Sequence, residues 1–144
     1  MRFWDSSAIV PLFVEEPRSK ACRALLRADR SQLVWCLTRT EVTSAVWRLA
    51  RDGVFSTDDV RSVDARLARL AARWHAITAV EPVRELAERA LRVHALRAAD
   101  ALQLAAALVA VERRPSGRPF VVADALLGLA AEREGFDVVR PAEL

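Results

Sequence analysis

Four carboxylates in this chain stand where a reaction centre could be built. Asp5 comes directly after Arg2–Trp4, which reads as a short buried strand, and Ser6 and Ser7 follow it. Asp124 closes the run FVVAD, at the carboxyl end of another strand with a helical pattern behind it. Glu41 falls in the first turn of the helix after the second strand. Asp100 falls in the first turn of a helix that is apolar nearly all round. Each has a structural use when taken alone. Asp5 and Asp124 suit N-caps, Thr38-x-x-Glu41 fits a capping box, and Asp100 complements a helix dipole. Taken together, their positions favour chemistry. Asp100 shares a helical stripe with Leu104, Ala107 and Val111, so it points inward, and Glu41 borders the stripe of Val42, Ala45, Val46 and Leu49. Carboxylates that converge repel, by about 4 kcal/mol for a pair about 4 Å apart at an effective dielectric of about 20. Such a group either takes up protons or holds a cation. Oxygen ligands alone suit Mg²⁺ or Mn²⁺. A cation held there activates water and offsets charge on a phosphoryl group under in-line attack, so the set points to metal-assisted phosphodiester hydrolysis.

The elements that must position these acids follow from periodicity and from turn residues. Strands are expected at Arg2–Trp4, Leu33–Cys36, Ala76–Val80, Phe120–Ala123 and Val138–Val139. Helices are expected at Ser6–Val14, Arg18–Ala28 and Thr38–Arg51, and from a Ser56-x-x-Asp59 capping box to about Trp74. Further helices are expected at Pro82–His94, with proline in the first turn, at Ala98–Arg113 and at Ala125–Glu134. This alternation predicts a three-layer α/β sandwich, with a mostly parallel central sheet of about five short strands flanked by helices. Residues 1–144 read as one domain. In such sheets ligands bind beyond the carboxyl ends of the strands, where the strand order reverses. Asp5 and Asp124 would be neighbours there.

Composition narrows the classes. The 144 residues carry a net charge of +3, and Lys20 is the only lysine. Positive charge supplied by arginine suits planar phosphate contacts, although biased codon usage would give the same balance. Cys22 and Cys36 form no metal-ligand or CxxC spacing and read as reduced core thiols of a cytoplasmic protein. Asp5 interrupts the opening apolar stretch, which does not suit a secretory leader, and Ala101–Val111 is too short to span a membrane. Neither a GxGxxG nor a GxxxxGK loop is present, which removes the common nucleotide-binding classes.

Four segments resemble the PIN-domain family, and within it the VapC-type toxins of toxin–antitoxin pairs. These are WDSSAIVPLFVEEPRS, LTRTEVTSAVWRLARDG, LRAADALQLAAAL and FVVADALLGLAAEREGFDVVRP, in the family's order and spacing across essentially the whole chain. The resemblance implies an endoribonuclease that depends on Mg²⁺ or Mn²⁺. It makes Asp5 and Asp100 the main metal ligands, and it has Glu41 and Asp124 complete the acidic pocket. Ser7 matches a hydroxyl near that site, whereas Val122 stands where the family often has Thr or Ser. The resemblance also implies an RNA substrate, a cognate antitoxin whose tail reaches the acidic site, and a homodimer. Trp47 lies opposite the core stripe of its helix, as an interface residue or one covered by a second layer would.

Other polar residues read as structural. His75 and His94 stand alone. Arg66, Arg69 and Arg73 recur at helical spacing as a solvated face. Two rival readings stay open. One is a non-catalytic PIN-like domain that binds RNA or protein. The other is a receiver-type phosphoacceptor, which it resembles poorly, because that class pairs two acids at its first strand and uses a late lysine.

Overall fold

Strand β1, Arg2–Trp4, lies at the centre of the sheet in a computed structural model that describes residues 1–143. It pairs in parallel with β2, Gln32–Trp35, on one side and with β4, Pro119–Val121, on the other. The edges are β3, His75–Ile77, and β5, Asp137–Val139, and the order β3-β2-β1-β4-β5 is parallel throughout. Strand order reverses between β1 and β4, and the register Trp4↔Val121 sets their carboxyl ends side by side.

Side chains alternate across the pleat and divide the core in two. Phe3, Trp35 and Phe120 face one layer, made of α5 (Val80–Val93), α6 (Ala98–Ala110) and α7 (Ala125–Glu134). Trp4, Val34 and Val121 face the other. That second layer contains α1 (Ser6–Ile9), α2 (Ser19–Ala28), α3 (Thr38–Arg51) and α4 (Thr57–Ala71). The three-layer α/β architecture read from the sequence is therefore the one observed. Coverage on both faces explains why the inner strands β1, β2 and β4 read as short apolar runs at Phe3–Trp4, Leu33–Trp35 and Phe120–Val121.

Several boundaries differ from expectation, each for a local reason. The helix expected over Ser6–Val14 gives way after Ile9 to a 3₁₀ turn, Val10–Leu12, because Pro11 has no N–H for the α-helical ladder. Val80 starts α5 instead of ending β3. Helix α6 stops at Ala110 because Glu112 and Arg113 turn to φ +52° and +59°, where the Arg113 N–H closes on the Leu108 carbonyl at 2.8 Å. Helix α4 does open on the Ser56–Asp59 capping box but ends at Ala71. Strand β4 ends at Val121, which leaves Val122 and Ala123 as a link to Asp124. Cys22 is buried as expected, whereas Cys36 is only half-buried.

Helix α7 ends at Gly135, with φ +107°, where a Cβ would lie 3.3 Å from Pro115 Cγ. Gly135→Ala is expected to cost about 1–2 kcal/mol in a urea unfolding experiment, because the left-handed conformation is strained for an L side chain and the contact is tight.

Candidate carboxylate site

Asp5 leaves the end of β1 with its backbone N–H bonded to the Val121 carbonyl at 3.0 Å. Its carboxylate caps α1, accepting from the Ser7 N–H at 2.9 Å, and the residue is 3% exposed. Burial is the main cause that pushes its pKa up to about 7, and the charges of Glu41 and Asp100 add to it against hydrogen bonding from Ser7. The Ser7 hydroxyl oxygen accepts the N–H groups of Ala123 at 2.9 Å and Asp124 at 3.2 Å. One hydroxyl thus fastens the segment after β1 to the segment after β4.

Glu41 is half-buried in the first turn of α3, beyond the carboxyl end of β2. The capping box that Thr38-x-x-Glu41 suggested does not form. The helix begins after Leu37 with no side-chain cap, and Glu41 is engaged elsewhere. Ser6 Oγ donates to Glu41 Oε2 at 3.0 Å, and Gln103 Nε2 donates to Glu41 Oε1 at 2.8 Å and to Thr38 Oγ1 at 3.0 Å. Burial raises the Glu41 carboxyl above the usual range, these hydrogen bonds oppose it, and the Asp100 charge reinforces it. Asp100, half-buried at the third position of α6, is raised by burial and then by the Asp124 charge, against hydrogen bonding and charge from Arg97. Asp124 is exposed and caps α7 through the Leu127 N–H at 2.8 Å.

All four predicted acids therefore gather at the reversal of strand order, close enough for their charges to act on one another. Glu41 and Asp100 act on Asp5, Asp100 acts on Glu41, and Asp124 acts on Asp100. Among the described residues no three His, Cys, Asp or Glu side chains already surround one point as a metal would require. The donor chemistry nevertheless fits a hard divalent cation. The donors are all oxygens, one carboxylate is nearly inaccessible, and burial raises three of them. A cleft of about 470 Å³, lined in part by Ser7, Asp124, Glu16 and Arg18, opens beside the acids.

Sequence reasoning held both serines after Asp5 as candidates, favouring Ser7 over Ser6, and passed over Thr38 and Gln103. Gln103 did carry a signal, as a lone amide in the otherwise apolar run of α6. His94 does not stand alone. Its ring is buried, its Nε2 lies 2.8 Å from Glu134 Oε1, and Arg89 donates to the same oxygen at 2.8 Å. This is a tie between α5 and α7, with no hydrogen bond to any of the four acids. Arg66 and Arg73 are more than a solvated face. Arg66 donates to the Leu12 carbonyl and lies over the Phe13 ring, and Arg73 donates to the Arg30 carbonyl. Trp47 is 45% exposed, so no second layer of this chain covers it. No helix among the described residues is long and apolar enough to cross a membrane. Compared with models of known families and with curated proteins, the chain matches none.

Proposed function

We infer that this chain is a divalent-metal-dependent endoribonuclease of the PIN type, acting as the toxin of a toxin–antitoxin pair. The observation that carries this reading is the group of Asp5, Glu41 and Asp100 at the switch point, all three raised by burial, with Asp5 raised further by Glu41 and Asp100 and Glu41 by Asp100. Carboxylates held in mutual repulsion destabilise the fold unless they serve a cation or a proton. A bound Mg²⁺ or Mn²⁺ would supply an activated water and charge neutralisation at the phosphoryl group. Asp5 and Asp100 would hold it, and the Ser7 N–H and the Arg97 side keep those two carboxylates in place. Glu41, fixed by Ser6 and Gln103, is set to orient a water or accept its proton. Asp124, exposed beside the cleft, completes the negative rim. The backbone of an RNA strand would follow the cleft past Ser7 and Arg18. Exposed Trp47 supports a protein partner on the α3 face, either the antitoxin or a second copy.

The test is cleavage of labelled RNA by the purified chain with Mg²⁺, Mn²⁺ or a chelator. Partners outside the coordination shell of a metal are already worth about 10–100-fold, so losing a ligand is expected to cost more than about 100-fold. Asp5→Asn and Asp100→Asn should each reach that loss while remaining folded by circular dichroism. Cleavage that survives the chelator, or variants as active as the parent, would overturn the reading.

A further inference from the structure

Gln103 is 1% exposed, on a helix face it shares with the buried Ala106 and Ala107. A leucine or methionine would fill that space at no polar cost. Instead the chain buries a primary amide and spends both of its N–H groups at the acid site, one on Glu41 Oε1 at 2.8 Å and one on Thr38 Oγ1 at 3.0 Å. Only the NH₂ end can meet an ionised carboxylate, so this contact sets the orientation of the amide. The bond also bridges the layers, from α6 on one side of the sheet to α3 on the other. Two further facts set it apart from a packing contact. The other Glu41 oxygen is held by Ser6 Oγ, so the carboxylate is gripped at both ends. The Gln103 Oε1 is buried with no hydrogen-bond partner, an acceptor kept free one amide width from Glu41.

We propose that Gln103 is a positioning residue of the carboxylate site, which aims Glu41 across the gap between the two helical layers. This deepens the nuclease reading above and rests on it. Glu41, held at one oxygen by Gln103 and at the other by Ser6, has a single orientation toward the acids around it, which is what a group that orients a nucleophile or accepts its proton requires.

The experiment compares Gln103→Met, Gln103→Glu and the core variant Val63→Ala with the parent chain. Mn²⁺ affinity is read by calorimetry, and kcat and KM are read on labelled RNA, with melting temperature recorded for each protein. Methionine keeps the length and removes the donors, while glutamate keeps the shape and replaces the donors by acceptors. Both Gln103 variants are expected to lower kcat by about 10–100-fold, with KM unchanged, and to weaken Mn²⁺ binding. Val63→Ala, which only opens a gap in the core beneath α4, is expected to lower the melting temperature and to move kcat and Mn²⁺ affinity by no more than about twofold. The proposal is overturned if the Gln103 variants bind Mn²⁺ and cleave as the parent does, if their losses only track melting temperature, or if Val63→Ala reproduces them. A parent chain that neither binds Mn²⁺ nor cleaves RNA overturns the nuclease reading itself, and this inference with it.

Discussion

Asp5→Asn is expected to make the metal-free protein more stable at pH 7, by about 2–4 kcal/mol. The folded carboxyl titrates near 7, far above its ordinary value of 3.8, first because it is buried and then because Glu41 and Asp100 are close. Between those two values the folded state binds more protons than the unfolded state. Stability contributed by this group is therefore full below about pH 4, falls as the pH rises toward 7, and levels off above 7. Asparagine has no charge to bury, and its side-chain oxygen still accepts the Ser7 N–H, so the α1 cap survives. Urea unfolding in a chelator from pH 4.5 to 8 reads the difference directly. The two proteins should converge near the acid end and separate toward neutrality. Equal or lower stability of Asp5→Asn at pH 7 would show that Asp5 carries no such strain. Mn²⁺ added at pH 7.5 is expected to stabilise the parent and leave the variant unchanged, because only the parent keeps the full anionic set.

The preceding residue carries the opposite sign. Trp4→Ala is expected to cost about 3–5 kcal/mol, among the largest losses available to a single side chain here. Trp4 is fully buried at the centre of the sheet, against Ile9, Val34 and Val42. Its Nε1 donates at 2.9 Å to Asp29 Oδ2, the buried acid that ends α2 and also accepts the Arg2 N–H at 3.1 Å. Removing the indole leaves a cavity and strips one partner from a buried carboxylate. Trp4→Phe isolates the second part and is expected to cost about 1–2 kcal/mol. Thermal unfolding checks both, and a shift of only a few degrees for Trp4→Ala would show that neighbouring side chains close the gap. Adjacent residues of β1 and its extension thus pull in opposite directions, one holding the sheet together and one taxing it.

The site acids were legible because strand ends and first helical turns are local features of sequence. Thr38–Arg51 and Ala125–Glu134 were read to the residue because Asp52-Gly53 and Gly135 mark where they stop. The inward aim of Asp100 followed from the stripe it shares with Leu104 and Ala107. What escaped was whatever depends on a residue far along the chain. The role of Gln103 is a contact with Glu41 across 62 positions. The His94–Glu134 tie spans 40. The capping-box pattern at Thr38–Glu41 misled because its glutamate found better partners in space than its own helix end. Asp29 carries no local signal in the sequence, and only the fold brings the Trp4 indole to it.

The central position of β1 also bears on how the chain comes into being. In register, Phe3 lies beside Leu33 on one side and beside Phe120 on the other, the last a partner 117 positions downstream. As the ribosome extends the chain, β1 can dock on β2 early, but its second neighbour is not yet made. The closing hydrogen bonds from Ala123 and Asp124 to Ser7 come later still. A nascent chain therefore lacks a finished acid pocket until nearly all of these residues have left the exit tunnel, and a contact of such sequence separation makes that final closure a slow one.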